Sequence, residues 1–210
     1  SNEEMEAPID LDCGESGLCM RMFSPIAALL ARDTRLLASG SLSARPMSMV
    51  EEPLRALGAR CFAKEGKAPI AIRGPLKGGS LSMNAGGSSQ FLTGLLLALP
   101  LAREDSEILV NGTVSRGYLD LTIDSARAFG VRIERNEDYS RFRIPGGQVY
   151  KASALEVEGD WSSAAFLVVA AALAASGEGL SIRGLDKNSM QPDRAVLDAA
   201  KAAGTPFDFQ

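Results

Sequence analysis

Histidine is absent from all 210 residues. That one absence excludes Ser-His-Asp and Cys-His catalysis within the chain and leaves a zinc site without its usual ligands. Cysteine is scarce. Cys13, Cys19 and Cys61 are an odd number at no metal spacing, the usage of buried free thiols in a reducing compartment rather than a disulfide frame. Positive charge is in deficit, with 22 Lys+Arg against 26 Asp+Glu and a net charge of −4. No dense basic run occurs, so nucleic acid and anionic membranes are not expected partners, and any anion site must use a few placed cations. Long apolar runs are missing as well. The longest, Phe166 to Ala175, falls short of the roughly 20 residues that span a bilayer. The acidic start Ser1-Asn2-Glu3-Glu4 does not resemble a signal peptide, and without export the Asn111-Gly112-Thr113 glycosylation match carries no weight. A cytoplasmic location is expected, with neither cofactor nor metal.

What is present is a repeat. Three times a Gly/Ser-rich polar turn feeds an apolar helix, followed by a strand and a second helix that ends in glycine. The turns are Gly14-Glu15-Ser16-Gly17, Gly86-Gly87-Ser88-Ser89-Gln90 and Gly159-Asp160-Trp161-Ser162-Ser163. The closing glycines Gly58, Gly130 and Gly204 lie about 72 and then about 74 residues apart, a regularity that marks a repeated structural unit. One unit used three times offers three polar helix starts to a common ligand.

Each complete unit reads β-α-β-α-β-β. The first places a strand near 9–13, helix 17–31, strand 35–39, helix 47–57 and strands 59–64 and 69–73. The second places strand 80–85, helix 88–101, strand 107–111, helix 119–129, and a hairpin of strands 131–135 and 141–145. The third supplies strand 154–158, helix 161–175, strand 180–183 and helix 192–203, without closing strands. The chain is therefore expected to be a fragment of a longer protein, its leading Ser-Asn a cloning remnant. The helices within 91–101 and 164–175 are apolar nearly all round, a pattern of buried helices. The expected fold is α/β, with helices inside and sheets partly outside.

The chemistry concentrates at helix starts. Ser88 occupies the expected N-cap of its helix, with Ser89 and Gln90 in the first turn. Such a position serves either as ordinary serine capping or as an anion site built from backbone N–H groups and the helix dipole. The equivalent loop before the next helix holds Ser115, Arg116, Tyr118 and Asp120. In the first unit Arg45 precedes Pro46, a residue suited to the first helical position, and Arg21 follows the polar turn at Gly17 by one helical turn. Ser, Gln, Tyr and two Arg suit a small molecule bearing phosphate, hydroxyl and carboxylate, because guanidinium forks bind oxyanions bidentately. The plainer reading of Arg21 and Arg45 is a pair of surface cations.

Seven segments in order carry a family resemblance. They are Gly17-Leu18-Cys19-Met20-Arg21, Arg45-Pro46, Gly87-Ser88-Ser89-Gln90-Phe91-Leu92-Thr93, Ser115-Arg116-Gly117-Tyr118-Leu119-Asp120, Arg141-Phe142-Arg143-Ile144-Pro145-Gly146-Gly147-Gln148, Glu158-Gly159-Asp160-Trp161-Ser162-Ser163-Ala164 and Asn188-Ser189-Met190-Gln191. Together they resemble the enolpyruvylshikimate-phosphate synthases (3-phosphoshikimate 1-carboxyvinyltransferases), from Asp10 to Gly204. The resemblance implies six such units in two inside-out α/β domains, of which this chain is the central part. Residues 1–150 would be two units of the shikimate-3-phosphate-binding domain and 151–210 an incomplete first unit of the second. It implies transfer of an enolpyruvyl group from phosphoenolpyruvate to the 5-hydroxyl of shikimate 3-phosphate, releasing phosphate, in aromatic amino acid biosynthesis. By the same match Ser88, Ser89 and Ser115 would hold the shikimate phosphate, Gln90 would sit between the substrates, and Tyr118 would pack by the shikimate ring. Gly17 and Arg45 would contact phosphoenolpyruvate, with Arg21 at its phosphate end. The family's catalytic Lys near the N-terminus, and its Asp, Glu, Arg and Lys from the second domain, have no counterparts here. The chain alone is therefore expected to be inactive, needing the remainder of the enzyme and working as a monomer when complete.

Three positions depart from the family pattern: Glu15 stands for Asn, Leu18 for Thr and Gly117 for Pro. A carboxylate beside a phosphate-binding turn is unfavourable unless it is paired or aimed away. The alternatives are a non-catalytic phosphometabolite-binding module or degenerate paralogue, the sister transferase acting on UDP-N-acetylglucosamine, and a repeat scaffold whose polar turns only cap helices.

Overall fold

The computed structural model describes residues 7–84, 89–112, 114–174 and 179–208. They gather into two compact units. One takes the residues up to Ser115 with Thr122–Ala152, the other Arg116–Leu121 with the residues from Ser153 onward.

The first unit contains the same connectivity twice. β1 (Ile9–Asp12), α1 (Gly17–Ala27), β2 (Thr34–Leu37), α2 (Glu51–Ala56), β3 (Arg60–Lys64) and β4 (Lys67–Arg73) are followed by β5 (Gly79–Asn84), α3 (Ser89–Ala98), β6 (Ser106–Asn111), α4 (Arg116–Ala128, whose first turn belongs to the other unit), β7 (Glu134–Arg135) and β8 (Arg141–Ile144). The sheets have the orders β1-β2-β4-β3 and β5-β6-β8-β7. In each, a helical crossover makes the first pair parallel, with Ile9 opposite Thr34 and Gly79 opposite Ser106. The remaining pairs are antiparallel, and β3–β4 and β7–β8 are hairpins whose short connections allow no other sense.

The repeated glycines have a common cause. Gly58, Gly130 and Gly204 have φ of +93°, +82° and +76°. Behind each, the next N–H reaches back to close the helix end: Ala59 to Leu54 O, Val131 to Ala126 O and Thr205 to Ala200 O, all 3.0 Å. A left-handed residue is what this C-terminal closure needs, and glycine adopts it without a Cβ penalty.

The strand faces alternate. Cys61, Ala63, Ile70 and Ile72 are buried on β3 and β4, while Arg60, Phe62, Lys64 and Arg73 are exposed. Inside, α1 packs on α3, burying Met20, Phe91, Leu92, Leu95 and Leu96 completely. Gly94 permits the close approach, since a Cβ there would lie 2.6 Å from the Met22 carbonyl oxygen. Buried Ser24 is satisfied by donating to Met20 O at 2.6 Å. Desolvation pushes the buried thiols of Cys13 and Cys61 up to about 12.

The second unit contains α5 (Trp161–Ala174) and α6 (Val196–Ala202), the latter preceded by a 3₁₀ turn at Pro192–Ala195. Its core is small: Trp161, Ala164 and Leu197, with Ile182, Leu185 and Val196 against them. Asp160 caps α5, accepting from Ser162 N–H at 3.0 Å and Ser163 N–H at 3.1 Å. No helix among the described residues is long and apolar enough to cross a membrane.

Several expectations are corrected. Residues 154–158 and 180–183 are not strands. In the first unit each parallel pair is extended by antiparallel partners, and the described residues of the second unit contain no such strand. Helix α5 is not buried on all sides, since Phe166 and Leu173 are 78% and 79% exposed; what packs on it is the 3₁₀ turn and α6. Helix 47–57 shrinks to Glu51–Ala56 behind a 3₁₀ turn at Ser48–Val50. Pro53, lacking an N–H, is tolerated there because it lies in the first turn. Residues 99–101 leave the α-helix as a 3₁₀ turn around Pro100. Only Glu134 and Arg135 of 131–135 pair as a strand, and α4 begins three residues ahead of expectation, at Arg116.

Candidate functional site

The polar turn after β1 ends at Ser16, whose side chain accepts from Cys19 N–H at 3.1 Å and so caps α1. Gly17 opens the helix and is buried. Two guanidinium groups meet there. From the position a Gly17 Cβ would take, Arg21 Nη1 is 3.0 Å away and Arg45 Nη1 3.5 Å. Arg21 comes from the next turn of α1, while Arg45 ends the 3₁₀ turn Gly40–Ala44 that follows β2. Among the described residues neither guanidinium joins an ion pair.

Burial and the charge of Arg45 lower the pKa of Arg21 from its ordinary value. Arg21 Nε is buried without a hydrogen-bond partner, an arrangement that costs free energy unless something supplies the acceptor. Two converging cations beside the N-terminal, positive end of α1 make a local field that favours an anion.

From Arg21 the site continues into the second repeat. Arg21 Nη1 donates to Gln90 Oε1 at 3.0 Å. Ser89, the first residue of α3, accepts from Ser115 N–H through its hydroxyl at 3.4 Å. Ser115 is the N-cap of α4, but its side chain makes no capping hydrogen bond. Gly17, Arg21, Arg45, Gln90, Ser89 and Ser115 thus form one connected set within the first unit. Ser88, Gly86 and Gly87 lie outside the described residues, so the expected N-cap carries no structural statement.

Tyr118 belongs to the other unit. Its hydroxyl donates to Asp193 at 2.5 Å, and that bond, with burial, pushes its pKa up to about 12. Gly117 packs beside Pro192, where a Cβ would sit 2.6 Å from the proline Cγ, so the departure from proline has a steric setting. Gln191, from the last matching segment, accepts from Trp161 N–H at 2.8 Å and donates to Gly159 O at 2.9 Å. Its side chain therefore secures the start of α5.

Glu15 is paired. Its Oε2 accepts from Ser41 N–H at 2.9 Å, and that bond, aided by the Ser41 hydroxyl and Arg45, holds the carboxyl below the usual range. Sequence reasoning missed this seat, because its partners Gly40 and Ser41 lie 25 and 26 residues downstream; the Gly40-Ser41 dipeptide was its only signal. Leu18 is 48% exposed at the helix start, where the family pattern has a hydroxyl. Among the described residues no cluster of three metal-ligating side chains occurs.

The family model for EPSP synthase (3-phosphoshikimate 1-carboxyvinyltransferase) matches residues 1–207. A 3-phosphoshikimate 1-carboxyvinyltransferase of Methanoculleus marisnigri is 39% identical over 199 residues, covering 93% of this chain and 46% of the relative. One from Clostridium kluyveri is 35% identical, covering 99% of this chain and 48% of the relative. A solved EPSP synthase from Acinetobacter baumannii superposes with a TM-score of 0.70 at 26% identity, over 93% of this chain and 43% of that one. The chain thus spans about half the length of the curated relatives it matches.

Proposed function

Because the chain belongs to the EPSP synthase family, we propose that the full-length protein transfers the enolpyruvyl group of phosphoenolpyruvate to the 5-hydroxyl of shikimate 3-phosphate. The 5-hydroxyl loses its proton and its oxygen gains a bond to the enolpyruvyl carbon, the bond from that carbon to the phosphate oxygen breaks, and the proton leaves on the released hydrogen phosphate. The observation that carries this reading is the convergence of Arg21 and Arg45 on Gly17, neither of them in an ion pair among the described residues, with Arg21 Nε left unsatisfied. Two cations, the half-buried Arg21 and the exposed Arg45, facing one backbone position call for an oxyanion.

In this reading Gly17 and Arg45 contact phosphoenolpyruvate and Arg21 stands at its phosphate end. Ser88, Ser89 and Ser115 hold the phosphate of shikimate 3-phosphate, and the uncapped Ser115 side chain suits that role. Gln90, already bonded to Arg21, lies between the substrates, while Tyr118 packs by the shikimate ring. These residues bind and orient; proton transfer falls to residues of the remaining sequence. Holding two anions together supplies a large part of such a rate enhancement. Residues 1–150 are two units of the shikimate-3-phosphate-binding domain, and 151–210 begin the second domain. The protein works in the cytoplasm as a monomer, in aromatic amino acid biosynthesis.

Calorimetry and a phosphate-release assay on the full-length protein test this. Shikimate 3-phosphate should bind, both substrates together should release phosphate, and Ser89→Ala should weaken shikimate 3-phosphate binding by about tenfold, the size of one charge-assisted hydrogen bond. The 210-residue chain alone should not turn over. Full-length protein that binds neither substrate refutes the reading.

A further inference from the structure

Three successive cross-links tie the turn after β1 to the segment after β2. Cys13 N–H donates to Leu37 O at 3.0 Å, Ser39 N–H to Gly14 O at 2.9 Å, and Ser41 N–H to Glu15 Oε2 at 2.9 Å. The first two join backbones; in the third a side chain takes the place of the carbonyl. Gly40 makes the space for it. Its φ is +51°, and a Cβ there would lie 2.3 Å from the Glu15 carboxyl carbon and Oε2, so no other residue leaves that seat open.

The turn held by this carboxylate leads directly to the anion site. It runs from Gly40 to Ala44, and Arg45 N–H closes it on Leu42 O at 3.0 Å. Leu42 is fully buried, and its Cδ1 lies 3.6 Å from where a Gly17 Cβ would be. The turn is therefore pinned at its start by Glu15 and in its middle by Leu42, and its last step presents the Arg45 guanidinium to Gly17. The same bond occupies the carboxylate. A negative charge two positions before Gly17 is drawn to the Ser41 N–H instead of opposing a bound anion.

We propose that Glu15 is a positioning residue for Arg45: its carboxylate fixes the Gly40–Ala44 turn and thereby sets where the Arg45 guanidinium meets the anion at Gly17. This rests on the reading of that place as the phosphoenolpyruvate subsite. A charge near the site, by itself, would act through sign alone. A positioning role depends on reach and on an acceptor for Ser41 N–H, and substitutions separate the two.

The test is calorimetric titration of the full-length protein with phosphoenolpyruvate and, separately, with shikimate 3-phosphate. Glu15→Asp keeps the charge but is one methylene too short to reach Ser41 N–H. It should weaken phosphoenolpyruvate binding by about tenfold, as Glu15→Ala should, the size of a lost charge-assisted hydrogen bond. Glu15→Gln keeps an acceptor of the right length and should recover most of the loss. Shikimate 3-phosphate affinity should stay at the wild-type value in all three. Where the alanine variant does not fold, the Asp and Gln pair carries the same test. Wild-type protein that binds shikimate 3-phosphate but no phosphoenolpyruvate sinks the assignment of the subsite. Wild-type binding of both, with Glu15→Asp and Glu15→Ala unchanged or with both ligands weakened equally, overturns the role of Glu15 alone.

Discussion

Helix α3 buries Phe91, Leu92, Leu95 and Leu96 completely, whereas α5 leaves Phe166 and Leu173 78% and 79% exposed, although neither helix carries a charged residue. As sequences the two are near equivalents: apolar on nearly every face, introduced by a polar turn, at matching places in the repeat. The difference lies in what they meet. Across α3 stands α1, approaching closely enough at Gly94 that the two backbones nearly touch. Among the described residues, the short 3₁₀ turn and α6 stand against α5, with Ile182 and Leu185 beside them; together they cover Trp161 and Ala164 and leave Phe166, Leu167, Val169 and Leu173 uncovered. All-round apolarity states a demand for burial; neighbours from elsewhere in the chain satisfy it.

The largest effect that tests this contrast is expected in α3. Leu95→Ala removes a fully buried side chain from the α1–α3 contact and should cost about 2–5 kcal/mol of stability, transfer and cavity together. Gly94→Ala attacks the same contact from the opposite direction, setting a methyl 2.6 Å from the Met22 carbonyl oxygen. Backbone gives way poorly, so the expected cost is about 1–3 kcal/mol. Denaturant unfolding of the first unit's signal measures both. If either change leaves the midpoint where it was, α3 is not the tightly packed partner of α1 and the comparison fails on that side.

How much of this could be read beforehand follows from which interactions are local. The closing glycines were legible because a left-handed helix end is set by a few adjacent residues, and Gly58, Gly130 and Gly204 form the same closure three times. Arg21 was legible at one helical turn from Gly17. Its bond to Gln90, 69 residues away, was reached only through the repeat and the family pattern. The seat of Glu15 was not legible, because it depends on the φ of Gly40, which no residue near Glu15 reveals. The segments 154–158 and 180–183 alternate as strands do, yet a strand exists only by pairing, and the described residues of the second unit offer no third strand to join them. The cover of α5 was misread for the same reason.

A smaller effect is expected from acid, and of the two helices it falls on α5. Asp160 caps that helix, and its bonds to Ser163 and to the Ser162 N–H hold its carboxyl below the ordinary aspartate value, which is about 3.9 in the unfolded chain. A folded-state value below the unfolded one means the contribution is fully present above about pH 4 and is lost as the pH falls through the folded value. Amide exchange at Ser162 and Ser163 should therefore accelerate, beyond the intrinsic pH trend, below about pH 4. Asp160→Asn should remove that extra step while keeping a cap. The amides at the start of α3, whose preceding sequence Gly86-Gly87-Ser88 carries no carboxylate, should show no such step. An equal step at both helices would erase the distinction.

The smallest effect is the most discriminating. Phe166→Ser on α5 substitutes a side chain that is 78% exposed, so little apolar area returns to water on unfolding. The expected change in stability is within about 0.5 kcal/mol in either direction, as for surface positions away from special features. The same residue type in α3, Phe91, is fully buried, and Phe91→Ser should cost several times more. The solubility effect should run the opposite way: removing Phe166 breaks a contiguous apolar face, the kind of surface through which chains associate. Sedimentation of the 210-residue chain should then show less self-association for Phe166→Ser than for wild type. Wild-type protein that stays monomeric at high concentration, or a Phe166→Ser variant destabilised as strongly as Phe91→Ser, would mean that α5 is covered after all and that the two helices differ less than their exposures state.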